Sequence, residues 1–194
     1  MIQSAQKTPY FDPQFKAQCI NLLPGEFYTT QSDQMIMTIL GSCVSACVRD
    51  VKKGIGGMNH FLLAKPSDSL SSPSARYGSY AMECLINDIL RRGGQRENLE
   101  IKIFGGSDLI NSSVKIGSKN CDFIKTYLRN EGFKVSAEDL GGARPRRIYY
   151  WPFTGRLVRA VLPNQTQSKI LAEEQRYSKT LEKKEEKHGE IELF

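Results

Sequence analysis

Thr38-Ile39-Leu40-Gly41-Ser42-Cys43 and, after a short basic turn, Gly56-Gly57-Met58-Asn59-His60-Phe61 are the stretches on which the fold and chemistry of this chain depend. Met35 to Leu40 is an apolar run of buried-strand length. Beyond it Val44, Ala46 and Val48 alternate. Asp50-Val51-Lys52-Lys53-Gly54 then has turn composition, and Ile55, Met58 and Phe61-Leu62-Leu63 resume the apolar pattern. A hairpin centred between Val51 and Lys52 sets Cys43 directly opposite His60, where Cβ atoms stand roughly 4.5–5.5 Å apart on one face. A slip of one residue would turn the two side chains to opposite faces. A second arrangement makes Ser42 an N-cap and Cys43 the first residue of a short helix, whose dipole favours thiolate. The strand is preferred, because Val44 and Val48 are β-branched and alternate with smaller residues.

Both arrangements suit nucleophilic catalysis. A thiol with an ordinary pKa of roughly 8.5 is little ionised at neutral pH, and an imidazole that takes its proton raises its reactivity. Of the two histidines, His188 sits in a charged tail, so the partner is His60. Gly41 lets a substrate approach the backbone, and N–H groups near Ser42 and Cys43 can hold an oxyanion. Thr38 can orient the imidazole and fix its tautomer. The plainer alternative is a small buried cysteine and a hydrogen-bonded core histidine. Zinc is disfavoured, since Cys43, Cys47 and His60 lack a second C-x-x-C or H-x3-H to complete a site.

These stretches resemble the CheD family of chemoreceptor glutamine deamidases, in Leu40-Gly41-Ser42-Cys43-Val44 and Gly57-Met58-Asn59-His60-Phe61-Leu62-Leu63. Pro24-Gly25-Glu26, Tyr77-Gly78 with Ala81-Met82, Lys102-Ile103-Phe104-Gly105-Gly106, Ile116-Gly117 with Asn120, and Asp139-Leu140-Gly141-Gly142 follow the family's order. The resemblance spans about residues 20 to 162. It implies hydrolysis of glutamine side chains to glutamate on methyl-accepting chemotaxis receptors, with receptor methyl-ester hydrolysis as a second activity. Cys43 would be the nucleophile, His60 the base and Thr38 its orienting partner. Gly41, Ser42, Asn59, Gly105 and Gly106 are candidates for lining the site. No cofactor or metal is implied. The partners implied are the receptors' helical bundles and a CheC-type phosphatase. Where the family usually has a Gly-Arg pair after Asp-Leu-Gly-Gly, this chain has Ala143-Arg144-Pro145-Arg146-Arg147, a basic cluster that could meet an acidic receptor surface.

Length agrees with one domain, or one domain with a tail. The 194 residues are 40% hydrophobic, enough for one core, and neither a secretory signal nor a spanning apolar run is recognisable. Five dispersed cysteines fit reduced thiols and a cytoplasmic protein. The last thirty-one residues hold six Lys/Arg and seven Asp/Glu, which leaves +7 of the total +6 on residues 1–163. The basic residues are scattered without interleaved aromatics, so nucleic acid is not the expected partner. A non-catalytic module that binds a CheC-type phosphatase is the other reading; silence of Cys43 towards iodoacetamide would favour it.

Strands and two amphipathic helices, Arg76–Arg92 and Asn120–Asn130, predict a mixed α/β fold. The resemblance sharpens this to a mixed β-sandwich flanked by helices and shared with toxin deamidases. Residues 1–19 read as an irregular arm, 20–162 as the deamidase-like domain and 163–194 as a charged, partly helical or disordered tail. Within the tail, Ser168 to Lys187 reads as a solvated Glu/Lys helix around Ile170, Leu171, Tyr177 and Leu181. The Ser/Pro-rich stretch Ala64–Ser74 reads as a surface loop near the site.

Overall fold

A computed structural model of the chain describes residues 2–5, 8–63, 72–109 and 115–188, without the side chains of Pro73 and residues 182–188. Most of the expected loop at Ala64–Ser74 and the side chain of His188 therefore lie outside the described residues. The fold is mixed α/β: two mixed sheets face one another, and helices cover one outer face. The strands are β1 (Gln3–Ser4), β2 (Tyr10–Asp12), β3 (Ala17–Asn21), β4 (Glu26–Thr30), β5 (Met35–Leu40), β6 (Val44–Asp50), β7 (Ile55–His60), β8 (Leu99–Gly105), β9 (Val135–Leu140), β10 (Arg146–Trp151) and β11 (Arg156–Val161). The helices are α1 (Pro73–Arg91), α2 (Ile116–Asn130) and α3 (Gln167–His188). One sheet runs β1-β4-β7-β6-β8-β9 and the other β11-β10-β5-β3-β2.

Period-two alternation assigns the faces. Val44, Ala46 and Val48 pack with Ile101, Ile103 and the apolar stripes of α1 and α2 on the outer side of the six-stranded sheet. Cys43, Cys47, Met58 and Leu62 face Ile20, Ile36, Leu40, Ile148 and Tyr150 between the sheets. Burying each such side chain contributes about 1.5–3 kcal/mol, so this doubly covered sheet is the stable floor of the molecule.

The β6–β7 hairpin forms, but its register differs from the expected one. Cys47 pairs Met58 and Val48 pairs Gly57, with Val44 bridging Phe61. The loop is Val51 to Gly54, closed by the Gly54 amide on the Asp50 carbonyl at 3.0 Å and by Asp50 Oδ1 on the amides of Lys52 and Lys53. That carboxylate acts as the turn's cap, and the turn lies one residue later than composition alone suggested. The displacement of two positions preserves the faces: Cys43 stands diagonal to His60 rather than opposite it, on the same side. The helix alternative for Cys43 does not occur, because β6 starts at Val44.

α1 begins at Pro73, three residues before the expected start. Ser72 caps it by accepting from the Ala75 amide at 3.1 Å, and Pro73 occupies the first turn, where its missing N–H is harmless. Tyr80 on this helix is 43% exposed, whereas Asp88 bonds Thr29 and Arg92. Among the described residues no helix is long and apolar enough to cross a membrane.

Candidate active site

β5 belongs to one sheet and β6 to the other, so Gly41-Ser42-Cys43 must carry the chain across the sandwich. Each carbonyl of this connector is taken from outside. The Ser107 amide donates to the Gly41 carbonyl at 2.8 Å, Asn120 Nδ2 to that of Ser42 at 2.8 Å and the Gly106 amide to that of Cys43 at 2.7 Å. Asn120 is itself anchored by accepting from the Leu63 amide at 3.0 Å. With three successive carbonyls turned outward, the three N–H groups converge on one point, an anion-binding nest.

A carboxylate fills that point. Glu174 of α3, 3% exposed, accepts from the amides of Gly41 (3.0 Å), Ser42 (3.0 Å) and Cys43 (3.1 Å) and from Ser42 Oγ (2.6 Å). A Cβ on Gly41 would lie 2.9 Å from Glu174 Oε1 and 2.6 Å from Leu109, so only glycine allows this approach.

Thr38 comes from β5 and His60 from β7, meeting across the sandwich. Thr38 Oγ1 lies 2.8 Å from His60 Nδ1 and donates its one proton to the Leu22 carbonyl at 2.9 Å. Towards the imidazole the hydroxyl can therefore only accept, which places the ring proton on Nδ1. Nε2 is left as a bare acceptor, buried and without a hydrogen-bond partner among the described residues. A ring nitrogen of His60, Cys43 Sγ and a Glu174 oxygen lie within 4.8 Å of one another.

Burial pushes the Cys43 thiol well above its usual range, and the adjacent Glu174 carboxylate pushes it further. Burial also lowers His60 from 6.5 to about 4, against the charges of Glu174 and Glu26, which raise it. The unfolded chain thus takes up a proton on His60 as pH falls below 6.5, while the folded chain refuses it down to about 4. Stability present above that window is lost through it, by up to about 3 kcal/mol. Urea midpoints measured from neutral pH downward should fall accordingly, and His60→Asn should flatten the slope.

Among the described residues, Cys43, His60 and Glu174 also form the group that could offer ligands to a metal. The polarity around the carboxylate favours an anion instead: both oxygens already accept from donors, and a cation beside them would face three N–H dipoles. Cys47, considered with them from its spacing, lies further along β6 and pairs with Met58.

The other expected lining residues serve the frame. Asn59 points to the α1 side, accepting from the Ala46 amide at 2.8 Å and donating to the Ala81 carbonyl at 3.1 Å. Gly106 offers its N–H to the Cys43 carbonyl rather than to the nest, and Gly105, at φ +112°, passes so close that a Cβ would lie 2.2 Å from that carbonyl. Arg146 does not join a basic surface cluster. It is 5% exposed and pairs with Asp139 at 2.9 Å.

The description of the family model that matches residues 62–160 is CheD chemotactic sensory transduction. A probable chemoreceptor glutamine deamidase CheD of Methylobacillus flagellatus is 48% identical over 191 residues, covering 95% of this chain and 94% of the relative. Proteins of the same description from Janthinobacterium sp. and Herminiimonas arsenicoxydans are each 44% identical over 190 residues, with 95% of this chain and 93% of the relative aligned. The chain belongs to the CheD family. CheD motifs quoted from the sequence converge here: Gly41-Ser42-Cys43 forms the nest, and Gly105-Gly106 and Asn120 turn two of its carbonyls outward. Ser107 and Glu174 were not singled out in the sequence. Ser107 looks like an ordinary turn residue, and the only signal for Glu174 is its place on a stripe with Ile170, Tyr177 and Leu181.

Proposed function

We propose that this chain hydrolyses glutamine side-chain amides of chemoreceptors to glutamate and ammonia, with Cys43 as nucleophile. The observation that carries the reading is the nest at Gly41–Cys43. It lies beside a thiol and a correctly tautomerised imidazole, and the group it holds is a glutamate carboxylate, the same chemical group that the reaction yields.

His60 Nε2 takes the thiol proton as sulfur attacks the amide carbon. The carbonyl oxygen, gaining charge, is held by the amides of Gly41, Ser42 and Cys43. Collapse breaks the C–N bond, and the proton on Nε2 leaves with ammonia. Water, deprotonated by the same nitrogen, then cleaves the thioester and restores the thiol. The same sequence acts on a receptor methyl ester, with methanol as the leaving group, and we include that reaction as a second activity.

Incubation with receptor cytoplasmic fragments should convert particular glutamines to glutamate, seen by peptide mass spectrometry. Absence of conversion under all receptor states would reject the reading. Thr38→Val removes the acceptor that holds the Nδ1 proton, so kcat should fall about 10²-fold with KM little changed. Thr38→Ser should restore most of it. Equal losses in both variants would mean that packing, not the hydroxyl, is the contribution of Thr38.

A further inference from the structure

α3 touches the body through one narrow stripe. Between Gln167 and Leu181 only Ile170, Glu174 and Leu181 are buried, at spacings of four and seven, with Tyr177 half-buried among them. Tyr177 stacks on the turn at Gly25, where a Cβ would meet its ring, and its hydroxyl lies 2.5 Å from that of Tyr77. At the centre of the stripe stands the carboxylate already described. A helix held by so few buried side chains is among the segments a protein releases most readily.

We propose that α3 is a tethered product analogue: it covers the substrate site with a helical glutamate, and a receptor helix must displace it, lying along the same stripe with its glutamine where Glu174 lies. The identity of the displacing helix rests on the function proposed above; the covering itself does not.

The chemistry explains why such a cover is inert. A carboxylate cannot be deamidated, and its charge beside Cys43 keeps the thiol protonated. Departure of Glu174 removes that charge, opens the nest and admits water. The competence of the site then depends on the fraction of molecules with α3 displaced.

Two full-length variants test this. Glu174→Ala deletes all four hydrogen bonds to the nest, and Tyr177→Ala loosens the helix without touching it. Iodoacetamide labelling, resolved by peptide mapping, should accelerate at Cys43 about tenfold or more in Glu174→Ala and in the same direction in Tyr177→Ala. Cys84, half-buried on α1, serves as the internal reference. Labelling of Cys43 at the wild-type rate in both variants would overturn the proposal.

Glu174→Gln supplies the second arm, because it presents the site with its own substrate. Sulfur should bond to the introduced amide carbon, nitrogen should leave as ammonia with the thiol proton, and water should cleave the thioester. The peptide would then read as glutamate again, and not in the Glu174→Gln, Cys43→Ala double variant. An unconverted amide in a protein that still deamidates receptor fragments would overturn the shared orientation. Faster labelling without hydrolysis of any glutamine would leave the cover standing and overturn the catalytic reading.

Discussion

Cys43→Ala is expected to abolish glutamine hydrolysis, lowering kcat about 10⁴-fold or more, while the chain still folds. Without sulfur there is no thioester. The remaining nest could only polarise an amide for direct attack by water, and amides resist water far more than esters do. The imidazole proposed as a base for sulfur would have to activate a water in a space shaped for a side-chain carbonyl. The fold should tolerate the change. Cys43 is a small, fully buried residue whose structural duties are carried by its backbone, the carbonyl bonded to Gly106 and the amide in the nest. Thermal unfolding should therefore shift by only a few degrees. Turnover within about tenfold of wild type would mean that another group attacks the amide. Cys43→Ser is the informative companion: it keeps the geometry and exchanges a thiol for a hydroxyl far harder to ionise, so its activity should be nearly as low.

How much of this site the sequence contains depends on whether contacts are local. Thr38, Cys43 and His60 lie within one β–turn–β–turn–β run, and the placing of the turn, together with alternation, put Cys43 and His60 on one face. The register moved by two because Asp50 caps its own turn, a side-chain effect that composition does not resolve. Their faces survived because the displacement was even. What composition could not give is that β5 and β6 belong to different sheets, so that the Gly41–Cys43 connector becomes a nest. That depends on partners from Ser107 and Asn120, far along the chain. Glu174 was the least legible residue. In a Glu/Lys-rich helix each glutamate looks solvated, and nothing local distinguishes the one that meets three backbone amides from its neighbours. The solvated-helix reading of Ser168–Lys187 is corrected to that extent: the helix forms, but one stripe of it is buried.

Arg146 shows the same error in a cation, a residue that looked like surface charge and is a buried fastener. At the start of β10 its guanidinium pairs with the Asp139 carboxylate at 2.9 Å, donates to the Asp139 carbonyl at 2.5 Å and to Ser107 Oγ at 2.8 Å, and bonds the Gly141 carbonyl. Ser107 in turn donates its hydroxyl to the Arg144 carbonyl at 2.7 Å and its amide to Gly41 at 2.8 Å. The planar fork thus binds the end of β9 to the turn that aims the nest, a geometry lysine cannot reproduce. Removing one partner of a buried pair is strongly destabilising, although Asp139, with 35% of its side chain exposed, can recover some hydration. Arg146→Ala should therefore cost about 3 kcal/mol, lowering Tm by about 10 °C for a chain of this size. Because Ser107 loses one of its anchors, the Gly41 carbonyl is held less firmly and kcat should fall further than the loss of folded protein accounts for, measured well below the new Tm. Arg146→Lys should recover less than half of the stability. A variant that melts with the wild type would reduce the network to a crowd of weak contacts, and one that melts early yet turns over normally would separate the fastener from the nest.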